Sequence, residues 1–100
     1  MPGNDPIQAA REALEAGEFA RAAELYEKLW DFRGAFEAAR SGGDRPRALR
    51  YAIELDDPKA VHAMLAELTA SEDGSRQALD VLARMRRHAD AAPIAEQIGD

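Results

Sequence analysis

Hydrophobic positions along the chain recur at the i, i+3, i+4, i+7 spacing that places them on one face of a helix. The successive sets are Ala22, Ala23, Leu25, Tyr26 and Leu29; Ala35, Phe36, Ala38 and Ala39; Ala48, Leu49, Tyr51, Ala52 and Leu55; Val61, Met64, Leu65 and Leu68; Ala78, Leu79, Val81, Leu82 and Met85; and Ala91, Ala92, Ile94, Ala95 and Ile98. Between the sets stand acids with a period of thirteen. Asp31, Asp44 and Asp57 are thirteen residues apart, Asp5 lies two periods before Asp31, and Glu18 occupies the place between. After Asp57 the register slips by four, through Thr69, Ala70, Ser71 and Glu72, and resumes at Gly74, Arg87 and Asp100.

Each acid falls where a helix should begin. Aspartate is a preferred N-cap because its carboxylate accepts from the free backbone N–H groups of the first turn. Pro6 and Pro58 follow Asp5 and Asp57 at the first helical position, which proline tolerates best, and Pro46 falls one place later. Gly17, Gly43 and Gly99 precede an acid, where a left-handed residue closes the previous helix. These glycines recur at every second unit, so the repeat is a pair of helices about twenty-six residues long. The pattern predicts helices over 5–16, 18–29, 31–41, 44–55, 57–69, 74–86 and 88–98. Helices this short are unstable alone and must stack to bury their stripes. The expected fold is all-α: an α-solenoid of about seven short antiparallel helices forming a single helical-repeat domain over 1–100.

The stretch Ala16-Gly17-Glu18-Phe19-Ala20-Arg21-Ala22-Ala23-Glu24-Leu25-Tyr26 resembles the middle of a tetratricopeptide repeat. Gly17, Glu18, Phe19, Ala22 and Tyr26 match that family's helix-turn glycine, acid and aromatic, its small alanine and its second-helix aromatic. Gly43-Asp44 with Ala48 and Tyr51 echoes the pattern, and Gly99-Asp100 looks like the turn of a further unit. The unit is shorter than a tetratricopeptide repeat and lacks its closing proline, and in this it is similar to the hairpins of clathrin-type and intraflagellar-transport-type scaffolds. The resemblance implies a tetratricopeptide-like module that contacts other proteins or peptides.

Composition narrows the alternatives. A net charge of −6 argues against a nucleic-acid binder that relies on phosphate contacts. The charge is uneven: residues 31–55 carry five arginines against four acids, whereas both flanking segments are acidic. With no cysteine, disulfides, thiol catalysis and cysteine-ligated zinc are excluded. No apolar run reaches membrane-span length and no leader pattern opens the chain, so the cytoplasm is the expected compartment and no membrane association is expected. Abundant alanine and arginine favour helix and also fit a GC-rich bacterial genome.

Candidate chemistry is sparse. His62 has Pro58, Lys59, Leu65 and Ala66 at the positions where a second metal ligand would stand, and His88 and Asp90 are two apart and do not share a helix face. Ser41, Thr69, Ser71 and Ser75 lie in no nucleophile elbow, and Gly42-Gly43 lacks the Lys-Ser/Thr of a phosphate loop. The expectation is therefore no enzyme activity, no cofactor and no metal. Five aromatic residues, Phe19, Tyr26, Trp30, Phe32 and Phe36, fall within eighteen positions, and most should be core. Trp30, at a helix junction between Leu29 and Asp31, is either packed or an exposed anchor of the kind enriched at interfaces.

Arg33, Arg40, Arg45, Arg47 and Arg50 form a basic band, with Glu37 placed to pair with Arg33 or Arg40; it is either a salt-bridged solvated face or a site for an acidic peptide. If the first helix of each hairpin lines a binding face, Trp30, Arg33, Glu37, Arg40, Lys59 and His62 meet the partner. Because a turn begins at Gly99-Asp100 with no helix after it, the chain is expected to be the N-terminal part of a longer protein. Otherwise Ile94 and Ile98 pair with another copy, in a self-association module regulating a fused C-terminal domain.

Overall fold

A computed structural model describes residues 5–99. It contains seven helices: α1 (Pro6–Glu15), α2 (Phe19–Lys28), α3 (Phe32–Ser41), α4 (Arg45–Glu54), α5 (Pro58–Leu68), α6 (Glu72–Arg84) and α7 (His88–Gln97). No strand occurs among the described residues. Each helix packs on its neighbours in the chain, α4 also meets α6, and the molecule measures 56 × 21 × 19 Å.

The reason for the thirteen-residue period is a three-residue linker that does two jobs. In α1–α2 the left-handed Gly17 lets its N–H reach Leu14 O at 3.1 Å and the Glu18 N–H reach Ala13 O at 2.9 Å. That is a Schellman closure, which satisfies carbonyls left free at a helix end. The last linker residue is at once the N-cap of the next helix, and its carbonyl accepts the first bond of that helix, as in Ala22 N–H to Glu18 O at 2.9 Å. The same closure recurs as Asp31 N–H to Tyr26 O (2.9 Å), Asp44 to Ala39 (2.9 Å), Asp57 to Ala52 (3.3 Å) and Arg87 to Leu82 (2.7 Å). The carboxylates of Asp31, Asp44 and Asp57 accept from Gly34, Arg47 and Ala60 N–H at 2.9, 3.3 and 3.2 Å, and Asp5 accepts from Ile7 N–H at 3.0 Å. Such caps contribute about 1 kcal/mol each. Glu18 departs from this pattern: it sits at the cap position of α2 without a side-chain cap bond.

The four-residue slip does not break the series. Ser71, not Gly74, begins α6, its Oγ accepting from Gly74 N–H at 3.0 Å. The linker stays three residues long, and the additional residues go into α5 (11 residues) and α6 (13 residues) beside neighbours of 10. Gly74 is forced by packing, since a Cβ there would overlap the Leu68 carbonyl oxygen at the end of α5.

Alanines make up most of the core, and the largest fully buried side chains are Tyr51, Leu49, Met64 and Leu82. Small side chains at the contacts let helix backbones approach closely, which suits helices of about three turns that cannot offer long apolar ridges. No described helix is long and apolar enough to cross a membrane.

Candidate functional site

The structure turns the basic band into a set of bonds between helices, four of the five joining helices two apart in the chain. Arg33 on α3 donates to Asp57, the cap of α5, at 2.8 Å, and Arg40 on α3 donates to Glu67 on α5 at 2.8 Å. Arg45, at the start of α4, reaches the other Glu67 oxygen at 3.2 Å. One row over, Arg47 and Arg50 on α4 meet Glu24 and Glu27 on α2 at 3.8 and 2.9 Å. Each of the five arginines thus has a carboxylate partner, so the band is a ladder rather than a free cationic face. Glu37, expected beside Arg33 and Arg40, forms no ion pair among the described residues. Hydrogen bonds from Arg33 and from the Ala60 backbone hold the Asp57 carboxyl below its ordinary value, and Arg40, with Arg45, does the same for Glu67. These pairs are partly exposed, so solvent screens them and they add little to stability.

The most enclosed polar group in the ladder is Tyr51. Its side chain is fully buried, and its hydroxyl donates to Glu27 Oε1 at 2.6 Å. Arg50 donates to both Glu27 oxygens and lies 4.8 Å from the Tyr51 ring centroid. Arg50, then Tyr51, hold the Glu27 carboxyl below its ordinary value, while burial, with Glu27 alongside, pushes the Tyr51 phenol up to about 12. Sequence spacing gave no sign of this triad, because its members lie 23 and 24 residues apart on different helices.

Of the residues expected to meet a partner, Arg33, Glu37 and Arg40 lie exposed on α3, and Lys59 and His62 lie exposed on α5. The two sets are drawn together by the Arg33–Asp57 and Arg40–Glu67 bonds. Trp30 is on the α2–α3 linker, 80% exposed, with its ring edge-on to Phe32 at 5.8 Å between centroids. It is left-handed, at φ 61°. Trp30 occupies the linker place held by Gly17 one period earlier and Gly43 one period later, and a bulky residue there costs roughly 1–2 kcal/mol relative to its right-handed conformation. The thirteen-residue register was the available signal for this strain. Phe36 and Tyr26 are core, as expected, and Phe19 and Phe32 are half-buried.

Of the two residues expected at a self-association face, Ile94 is 6% exposed within the chain's own core and only Ile98 is half-exposed. Asp100, the start of the expected further turn, lies outside the described residues. His88 opens α7, and beside it Arg87 pairs with Asp90 at 2.9 Å. Among the described residues no group of three or more His, Asp or Glu side chains is placed to hold a metal ion. The depressions of the described surface are open, the largest, of about 570 Å³, lying between the α5–α6 linker and the end of α7. One of about 520 Å³ lies between the α3–α4 linker and the start of α6, lined in part by Arg45, Glu67, Ser71, Asp73 and Gln77. Another of about 360 Å³ lies between α4 and α6, where Arg47, Arg50 and Arg84 face Asp44 and Asp80. Neither of these last two is lined by a histidine, and the serine in the one of about 520 Å³, Ser71, is engaged as the cap of α6. No family model, no curated protein and no solved structure matches the chain.

Proposed function

We propose that the chain is a tetratricopeptide-like α-solenoid of antiparallel hairpins, and that it works as a scaffold module that grips a partner protein or peptide. The observation that carries this reading is the ladder between helices two apart, α2 with α4 and α3 with α5. Bonds of that kind are what a stack of repeated hairpins makes between successive units. They join α3 to α5 through side chains, and Glu37, Lys59 and His62, exposed with Arg33 and Arg40 on these two helices, offer polar groups that the core does not use. A rigid, extended surface suits binding because little conformational freedom is lost on contact.

A photoreactive residue placed at Glu37 or His62 tests this. A discrete protein adduct from both positions, competed away by excess unmodified chain and missing when the probe stands at Arg84 on α6, is the expected result. Adducts that do not differ between α3–α5 and α6, or none at any position, would refute the reading.

A further inference from the structure

At the backbone conformation of Trp30 glycine would carry no steric strain. In the linkers around it the same left-handed place is taken by Gly17 and Gly43, for which that conformation carries no steric penalty. Trp30 keeps the strain and directs an indole into solvent, at 80% exposure. Strained residues that persist against the interest of the fold cluster at ligand-contacting positions. The indole is also held in place from beneath. Phe32 meets it edge-on at 5.8 Å and packs in turn on the buried Tyr51 ring at 6.1 Å, so the exposed ring stands on an aromatic series rooted in the core.

Charge around this platform favours a cationic guest. The Arg33–Asp57 bond ties the α2–α3 linker to the α4–α5 linker, where Asp56 takes the corresponding left-handed place at φ 54°. Residues 27–33 and 53–59, taken with the Arg50 that binds Glu27, carry five carboxylates against four cations, in a chain of net charge −6. Asp56 and Glu54 are exposed and form no ion pair among the described residues, whereas Arg33 and the neighbouring Arg50 are bound to carboxylates of the chain itself. Lys28 and Lys59 are the opposing charges on these segments. Tryptophan is the strongest aromatic acceptor for a guanidinium or ammonium group.

We infer that Trp30 anchors the docking of a cationic segment of a partner protein, with an arginine or lysine side chain stacked on the indole and its neighbours facing Asp56 and Glu54. This deepens the scaffold reading and rests on it, adding a second contact surface at the linker edge.

Trp30 is the only tryptophan of the chain, so its emission reports on this place alone. The full chain is titrated with deca-arginine, and with deca-glutamate as the control. The expected result is a change in emission with deca-arginine only. Anisotropy of labelled deca-arginine should then show Trp30→Gly binding roughly two- to fivefold more weakly, Trp30→Phe losing less, and Asp56→Asn weakening binding in the wild-type background. Trp30→Gly relieves strain and keeps the fold, so loss of binding is not loss of structure. Deca-arginine binding equally well to Trp30→Gly, or emission unmoved by saturating peptide, would overturn the assignment. So would a concentration-dependent dimer abolished by Trp30→Gly, which would give the indole to a second copy of the chain. Each of these outcomes leaves the scaffold reading standing, since that reading fails only on the adduct pattern at Glu37 and His62.

Discussion

Replacing Glu27 with alanine isolates the one fully buried hydroxyl in the ladder. The Tyr51 hydroxyl donates to Glu27 Oε1 at 2.6 Å, and the Tyr51 side chain is fully buried, so water cannot readily replace the lost carboxylate. A buried donor left without a partner costs about 1–3 kcal/mol. The Arg50–Glu27 pair, with 38% and 35% of the two side chains exposed, adds no more than about 1 kcal/mol. Glu27→Ala should therefore destabilise the chain by roughly 2–3 kcal/mol, a fall in Tm on the order of 10–20 °C for a domain of this size. Tyr51→Phe removes the donor and leaves Glu27 with Arg50, so the double variant should cost less than the two single changes added together. Urea unfolding of the wild type, both single variants and the double variant, followed by far-UV circular dichroism, gives the coupling, expected at about 1–2 kcal/mol. Additivity within about 0.5 kcal/mol would show that hydroxyl and carboxylate do not act on one another, and the reasoning would fall.

Two further expectations follow from the packing and the charges. Gly74→Ala should destabilise by about 2–3 kcal/mol because the new Cβ meets the Leu68 carbonyl, although helix propensity alone predicts a gain of about 1 kcal/mol; a rise in the urea midpoint would refute the close approach. The carboxyls of Glu27, Asp57 and Glu67 titrate lower in the folded chain, so the unfolded chain takes up protons first and their stabilisation, complete above the ordinary carboxyl range, is lost as pH falls through the folded values. Tyr51 runs the other way: its contribution is complete below the ordinary phenol value of 10.0 and disappears as pH rises towards about 12. Urea midpoints across both limbs check this, and an alkaline limb unchanged in Tyr51→Phe would contradict it.

The cost of the exposed linker residues connects stability to function. Left-handed places fall in chain order at Gly17, Trp30, Gly43, Asp56, Arg86 and Gly99. Glycine at Trp30 and Arg86 would relieve strain, whereas aspartate at Asp56 tolerates the conformation better. At Trp30 that argument joins high exposure and aromatic support, and the further inference depends on all three together.

The sequence alone determined where the helices run and how they are joined. The apolar spacing, the Asp caps at Asp31, Asp44 and Asp57 and the glycines at Gly17 and Gly43 act within one or two helical turns, and interactions of that range can be read from spacing. Even there one cap was misplaced, because Ser71 and Gly74 both suit a helix start and only the approach of α6 to Leu68 selects between them. Tertiary structure decided which charges meet. Glu37 was the obvious partner for Arg33 and Arg40 on α3, yet both arginines reach to α5, 24 and 27 residues away. The rotation of each helix about its axis and its offset from the helices around it set those distances, and both depend on how alanine-rich faces nest. The left-handed backbone of Trp30 was implied by the thirteen-residue register, but its exposure was not: that depends on which neighbouring helices leave the linker edge uncovered.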